Sequence, residues 1–123
     1  MKNGRKEKKP VTKERILSTI GLAYRASLLA SGSDSVEMAI RSGAAGLLIL
    51  SEDGSEKQRE KLFRIAKEEE VETRYFGTCE ELGKAVGRDV RIAHAILDPG
   101  LALKLKQQID ELNGNEMSVE DAE

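Results

Sequence analysis

The sequence is poor in cysteine and in long hydrophobic runs. Its single cysteine, Cys79, cannot form a disulfide within the chain, and nothing around it has metal-ligand spacing. No apolar run approaches the roughly 18–20 residues that cross a bilayer. The lysine-rich start is not followed by the apolar segment of a secretory signal. We therefore expect a cytoplasmic protein without a membrane segment.

Catalytic constellations are also missing. The only histidine, His94, lies within the apolar segment 92–97, where a packed histidine is more common than a catalytic one. Cys79 follows a predicted helix cap, where a helix dipole would lower the thiol pKa, but it has no recognisable partner. Asp53 and Asp98 follow predicted strands, yet Asp98 is explained as a helix cap. With neither a Walker motif nor a dinucleotide glycine fingerprint, we expect a non-enzymatic protein that needs no cofactor and no metal.

Charge is strongly segregated along the chain, although the formal net charge is only −2. Residues 1–15 carry a balance of +5, and residues 110–123 carry six acids and no base. Basic ends often contact nucleic acid and acidic ends often only keep a chain soluble. Solvated tails explain both ends equally well.

A chain of 123 residues is long enough to bury one hydrophobic core. We predict a basic tail over 1–11, one domain over 12–113 and an acidic tail over 114–123.

The middle of the chain contains the most informative stretch, SGSDSVEMAIRSGAAGLLILSED. Val36, Ala39 and Ile40 recur at the spacing of one apolar helical face. The continuously apolar segment 46–50 is typical of a strand that is covered on both faces. The loop 31–35 is therefore expected at the N-terminus of a helix. First-turn amides of such a helix lack intrahelical partners and favour an anion such as a phosphate.

Helical and strand patterns alternate through the whole chain. In chain order, the predicted elements are a helix over 12–25, an extended segment over 28–30, a helix ending at Gly43, a strand over 46–50, a helix over 55–70, a strand over 71–76, a helix over 78–86, a strand over 92–97 and a helix from Asp98 to Gly114. The third helix is expected to bury Leu62, Phe63, Ile65 and Ala66. This alternation predicts an α/β fold, a three-layer α-β-α sandwich around a mixed sheet of about four strands.

Three predicted loops would gather at one end of this sandwich, over residues 31–35, 51–55 and 87–91. Basic residues lie in or near the same elements: Arg25, Arg41, Lys84, Arg88 and Arg91. A helix N-terminus flanked by arginines can hold a phosphate backbone. Ordinary turn glycines and a solvated surface explain the same residues, so spacing alone leaves both interpretations open.

Several motifs together resemble those of a known family. The segments GLAYRASLLASGSDSVEMAIRSG, LLILSED, ELGKAVG and AILDPG, in this order, resemble the ribosomal protein L7Ae/L30e superfamily of kink-turn RNA binders, and more closely its bacterial YlxQ-type branch. The resemblance covers about residues 14–110. It implies an α-β-α sandwich and a structured RNA partner, ribosomal RNA included. We also expect a monomer, with a protein partner as a further possibility.

The resemblance also implies which residues face the RNA. The family motif Gly-x-Asn-Glu-x-x-Lys, at the start of the second helix, falls on the segment Gly32, Ser33, Asp34, Ser35 and Met38. In the family the asparagine and glutamate contact sheared G·A pairs, and the lysine supports the contact. The second RNA-facing loop of the family corresponds here to Val86, Gly87, Arg88, Asp89 and Val90. Val86 and Val90 would give apolar cover, and the five basic residues named above would contact phosphates.

Three positions depart from that motif. Asp34 cannot donate the hydrogen bonds of an asparagine amide, Ser35 replaces the glutamate, and Met38 carries no positive charge. Each good polar base contact is worth about 1–3 kcal/mol, so these changes weaken base reading. The leading interpretation is a non-enzymatic RNA-binding protein that recognises kink-turn-like RNA through the loop at the N-terminus of the second helix. The alternative is a protein–protein adaptor that kept the fold and lost kink-turn recognition.

Overall fold

The computed structural model describes residues 10–121, with side chains described over 10–114. Its helices and strands alternate as predicted: α1 (Lys13–Arg25), β1 (Leu29–Ser31), α2 (Ser33–Arg41), β2 (Leu47–Leu50), α3 (Glu56–Glu68), β3 (Thr73–Tyr75), α4 (Cys79–Ala85), β4 (Ala93–Ile96) and α5 (Pro99–Asp121). The basic tail predicted over 1–11 lies outside the described residues except for its last two. No helix within residues 10–121 has an apolar stretch long enough to cross a membrane.

The four strands form one mixed sheet in the order β1-β4-β2-β3. Strand β4 pairs antiparallel with both β1 and β2, and β2 pairs parallel with β3. The central strands β2 and β4 are buried at every residue. The continuous apolar run of β2 follows from this position, because neither of its faces meets water.

Helices cover both faces of the sheet. Successive side chains of a strand point to opposite sides, so the apolar residues of β2 need to be covered on both faces. Leu47 and Ile49 of β2 pack with α1, α4 and α5. Leu48 and Leu50 pack with α2 and α3 on the other side. The predicted three-layer α-β-α sandwich is thereby confirmed.

Side-chain caps set the starts of four of the helices. The capping oxygens belong to Thr12, Ser55, Thr78 and Asp98. Each accepts a hydrogen bond of 2.9–3.2 Å from a backbone amide in the first turn of its helix. Helix α2 is different, because its cap position is Gly32, which has no side chain to accept a hydrogen bond from the first turn.

Two sequence predictions about helices were wrong. Phe63 was expected to be buried but is 40% exposed. The buried face of α3 is formed by Leu62, Ile65 and Ala66, and the helical period leaves position 63 at the margin of that face. Helix α5 continues past Gly114 to Asp121. A glycine inside a helix costs only about 1 kcal/mol relative to alanine, so Gly114 alone does not end the helix.

The only histidine joins the sheet to helix α4. His94 is fully buried in β4, and its Nε2 atom lies 3.0 Å from the carbonyl oxygen of Leu82. The expectation of a packed histidine is thus confirmed. Burial lowers the pKa of His94 to about 4, even though the bond to Leu82 favours the charged ring. The positive charge of Arg91 is a smaller contribution to this lowering of the pKa.

Burial of His94 predicts a loss of stability in mild acid. The folded state keeps this ring neutral, whereas the unfolded chain takes up a proton below an ordinary pKa of about 6.5. The free energy of unfolding should therefore fall by about 2–3 kcal/mol between pH 7 and pH 4.5 from this residue alone. Urea unfolding of the wild type and of His94→Gln at both pH values measures it. If the free energy of unfolding falls by the same amount in the two proteins, His94 does not titrate as described.

Candidate nucleic-acid interface

The three loops predicted to gather do meet at one end of the sheet. They surround a cavity of about 400 Å³. The residues that line it are Gly32, Ser33, Ser55, Gln58, Cys79, Val90, Arg91 and Ile92. The first turns of α2, α3 and α4 therefore converge on one cavity, together with the segment that leads into β4.

The first turn of α2 is open towards this cavity. Gly32 has a φ angle of +94°, which residues with a side chain rarely adopt. Its own amide donates to the carbonyl oxygen of Ala93 at 3.1 Å, which anchors the start of α2 beside β4. Because Gly32 offers no capping oxygen, the amides that follow it keep their hydrogen-bonding capacity for a ligand.

The first turns of α3 and α4 are already occupied by side chains. Ser55 caps α3, and Thr78 forms a reciprocal capping box with Glu81 at the start of α4. The Cys79 amide donates to the Asp53 carboxylate at 2.8 Å. This hydrogen bond holds the pKa of Asp53 below its usual value. Of the three helix starts at the cavity, only that of α2 is free of a side-chain cap.

Cys79 does not have the environment of a reactive thiol. Burial raises the pKa of Cys79, and this outweighs the opposing effect of its hydrogen bond to Ser51. The Sγ atom lies 3.3 Å from Ser51 Oγ and 3.4 Å from the carbonyl oxygen of Asp53. The thiol is therefore protonated at neutral pH. Within the described residues, no group of His, Cys, Asp and Glu side chains could hold a metal ion.

Arg91 provides the positive charge beside the open helix start. Its Nε donates to Ser31 Oγ at 3.1 Å, and its Nη1 donates to the carbonyl oxygen of Val90 at 2.8 Å. These bonds use two of the five donors of a guanidinium. A Cβ atom placed on Gly32 would lie 3.6 Å from Arg91 Nε. The guanidinium is thus held next to the amides of α2 with donors to spare.

The segment 87–91 is held closely against α4. The amide of Arg88 donates to the Gly83 carbonyl at 2.8 Å, and that of Arg91 donates to the Cys79 carbonyl at 3.0 Å. A Cβ atom on Gly83 would lie 2.6 Å from Val90 Cα, so only glycine permits this approach. Val90 is 56% exposed as a result and stands at the rim of the cavity.

The predicted site residues fall into two groups. Gly32, Ser33, Val90 and Arg91 line the cavity itself. Around it, the exposed positions are Asp34, Ser35, Met38, Gly87 and Arg88. Met38 is 71% exposed, so the motif position it occupies is open to a ligand. These nine residues form what we call the candidate site.

The other predicted residues lie elsewhere. Val86 is buried in the core beneath α4 and does not offer an apolar surface. Arg25 and Lys84 share a separate groove between α1 and α4. Arg41 ends α2, about 12 Å along the helix axis from its first residue, and its Nε donates to Glu37 at 3.0 Å.

Sequence reasoning missed three wall residues of the cavity, Gln58, Cys79 and Ile92. Gln58 and Cys79 belong to the first turns of α3 and α4, and their place in the wall depends on how these two helices converge. The available signal in the sequence was the capping-box pattern of Ser55-Glu-Lys-Gln58 and of Thr78-Cys-Glu-Glu81, because each pattern marks a helix start that approaches the cavity.

Comparison with known proteins identifies the class. The model of the ribosomal protein L7Ae/L30e/S12e/Gadd45 family matches residues 14–106. The chain belongs to this family. It is 33% identical over 91 residues to the RNA-binding protein YlxQ of Bacillus subtilis (strain 168), covering 74% of this chain and 91% of that protein. This relationship places it in the YlxQ-type branch.

Solved structures agree with this assignment. A protein of unknown function from Bacillus halodurans C superposes with a TM-score of 0.73 at 33% identity, covering 77% of this chain and 96% of that one. The 15.5kD RNA binding protein of Giardia lamblia superposes with a TM-score of 0.67 at 17% identity, covering 78% and 85% of the two chains. At that identity the second likeness concerns the fold alone.

The close approach of segment 87–91 to α4 can be tested with Gly83→Ala. The added methyl group would collide with the backbone of Asp89 and Val90, which cannot move aside as a flexible side chain does. We expect a loss of about 1–3 kcal/mol in the free energy of unfolding, measured in urea, and shifted amide resonances at Val90 and Arg91.

Gly114→Ala is the matched control. A Cβ atom at Gly114 meets nothing within 4 Å, so this change should be neutral or stabilise α5 by up to about 1 kcal/mol. If Gly83→Ala behaves like this control, segment 87–91 is not packed against α4 as described.

Proposed function

We propose that this protein is a non-enzymatic RNA-binding protein that recognises structured, kink-turn-like RNA through the loop at the N-terminus of α2. The observation that carries the proposal is the contrast between the helix starts at the cavity. Side chains cap α3 and α4, whereas α2 begins at Gly32 with no side-chain cap. Uncapped first-turn amides are suited to phosphate oxygens. The RNA-binding YlxQ relative supports an RNA ligand.

Basic and apolar groups around the open helix start complement an RNA strand. Arg91 has donors left for a phosphate, and Arg88 lies exposed on the adjoining loop. Val90, at the cavity rim, offers an apolar surface to an unstacked base. Because phosphate contacts dominate this arrangement, affinity should fall steeply as salt rises. We expect the protein to act as a monomer in the cytoplasm, with ribosomal RNA as the first candidate ligand.

The motif positions on α2 define how selective this binding is. Asp34, Ser35 and Met38 are exposed and within reach of a ligand. Their side chains lack the amide donors and the cation through which the family motif reads RNA. Backbone amides and arginines therefore contribute most of the affinity, and discrimination between kinked and unkinked RNA is modest.

One observation favours a second candidate function. Met38 places an unbranched apolar side chain, 71% exposed, at a position where the family motif has a lysine. Exposed methionines suit adaptable protein contacts. An adaptor that binds protein through this face is therefore the alternative.

The proposal is tested by titrating a fluorescent kink-turn RNA and a kink-disrupted control at low and moderate salt. The wild type should bind both RNAs in a salt-dependent manner. The triple variant Asp34→Asn, Ser35→Glu, Met38→Lys should bind the kinked RNA at least about tenfold more tightly than the wild type, because each regained polar contact is worth about 1–3 kcal/mol. Its affinity for the disrupted RNA should change little.

Two results would contradict the proposal. If the wild type binds neither RNA at low salt, the adaptor is the better account. If the affinity of the triple variant rises equally for both RNAs, the three positions on α2 contribute only charge and do not recognise the kink.

A further inference from the structure

A basic surface extends from the candidate site along the line where α2 and α3 pack side by side. Both helices start at the cavity, where Ser33 and Ser55 are lining residues. They then run away from it together, and Lys61 of α3 reaches Glu37 of α2 at 3.6 Å. We call the exposed groups along this line the α2–α3 seam: Glu37, Arg41, Lys57, Glu60, Lys61 and Arg64.

Three of the basic residues form a regular row. Lys57, Lys61 and Arg64 follow the spacing i, i+4, i+7, which places them on one face of α3. All three are exposed and line one shallow depression of about 310 Å³ on that helix. The row spans about 10 Å along the helix axis. A row of this length can contact about two or three successive phosphates of one duplex strand.

The seam has more positive than negative charge. Its four bases face two acids, and one of these, Glu37, is already shared between Arg41 and Lys61, at 3.0 and 3.6 Å. Lys57 and Arg64 form no ion pair with any side chain between residues 10 and 114. Their charge is therefore available to a polyanion.

The composition of the seam favours nucleic acid over protein as its partner. Protein interfaces are built around apolar and aromatic anchors, and no apolar or aromatic residue is among those that line the depression on α3: Lys57, Gln58, Glu60, Lys61 and Arg64. A row of cations without such anchors is the arrangement that holds phosphates and positions a duplex without reading bases. The seam also begins at the wall of the candidate site, so one RNA molecule can reach both.

We propose that the α2–α3 seam is a second RNA-binding surface, on which Lys57, Lys61 and Arg64 contact the phosphates of a duplex stem that leaves the candidate site. Arg41, at the far end of α2, shares Glu37 with Lys61 and so lies beside this row. This inference rests on the proposed function, because the candidate site must hold the kinked segment for the stem to follow α3.

The test compares two charge-matched triple variants on two RNAs. The seam variant is Lys57→Gln, Lys61→Gln, Arg64→Gln. The control is Arg15→Gln, Lys104→Gln, Lys106→Gln, which removes three positive charges from α1 and α5, the helices on the other face of the sheet. The RNAs are a kink-turn RNA with stems of a full helical turn and the same RNA whose stem phosphates, outside the kink, are replaced by uncharged methylphosphonates. Association constants are measured over a series of salt concentrations, after thermal melting has shown that each variant folds.

On the full-turn RNA, the seam variant should lose at least about tenfold in affinity at low salt. The slope of log affinity against log salt should become shallower by about 2–3, since each lost phosphate contact removes about 0.9. On the methylphosphonate RNA, whose stems offer the seam no charge, the seam variant should match the wild type within about twofold. The control should resemble the wild type on both RNAs.

The outcomes separate the two proposals. If the wild type binds neither RNA, the proposed function fails, and this inference fails with it. If the wild type binds both RNAs but the seam and control variants lose equal affinity for the full-turn RNA, only the seam inference is overturned. Equal losses by the seam variant on both RNAs also overturn it, because the contact would then not lie on the stem.

Discussion

The antiparallel pairing of β2 with β4 is the constraint on which the rest of the structure depends. It places the end of β2 and the start of β4 at one edge of the sheet, where the Ser51 amide donates to the Ile92 carbonyl at 2.9 Å. The Gly32 amide donates to the neighbouring Ala93 carbonyl at 3.1 Å. The carbonyl oxygens of two adjacent residues, Ile92 and Ala93, thus hold two of the three loops that surround the cavity. Because both strands are fully buried, this edge cannot shift without disturbing both cores.

The cavity combines one open helix start, that of α2, with two capped ones, those of α3 and α4. Capping by Ser55, Thr78 and Asp53 stabilises α3 and α4 and removes their first-turn amides from competition for a ligand. Helix α2 gives up that stabilisation at Gly32, so its amides are left for an anion. Arg91, whose guanidinium lies beside these amides, favours one direction of approach. A binding surface of this kind selects the path of an RNA backbone more than its sequence.

Local patterns predicted the fold well, because most elements have a signal in their own residues. The apolar run of β2 and the capping box of Thr78 with Glu81 are such signals. The site was only partly predictable. Val86 was expected to face RNA, yet an apolar residue at a helix end is equally suited to the core, and the packing of α4 decided it. Arg41 is near the glycine loop in sequence, but the length and rotation of α2 carry it to the seam.

The central claim is that the open first turn of α2 and the segment 87–91 bind RNA together. The most direct measurement is a two-dimensional amide NMR titration of the full chain with a short-stemmed kink-turn RNA. The account predicts saturable shifts at the amides of Ser33, Asp34 and Ser35, in the downfield direction expected for new hydrogen bonds to phosphate, and accompanying shifts at Val90 and Arg91. Shifts confined to the β3 edge or to α5, or no saturable shift at low salt, would contradict it.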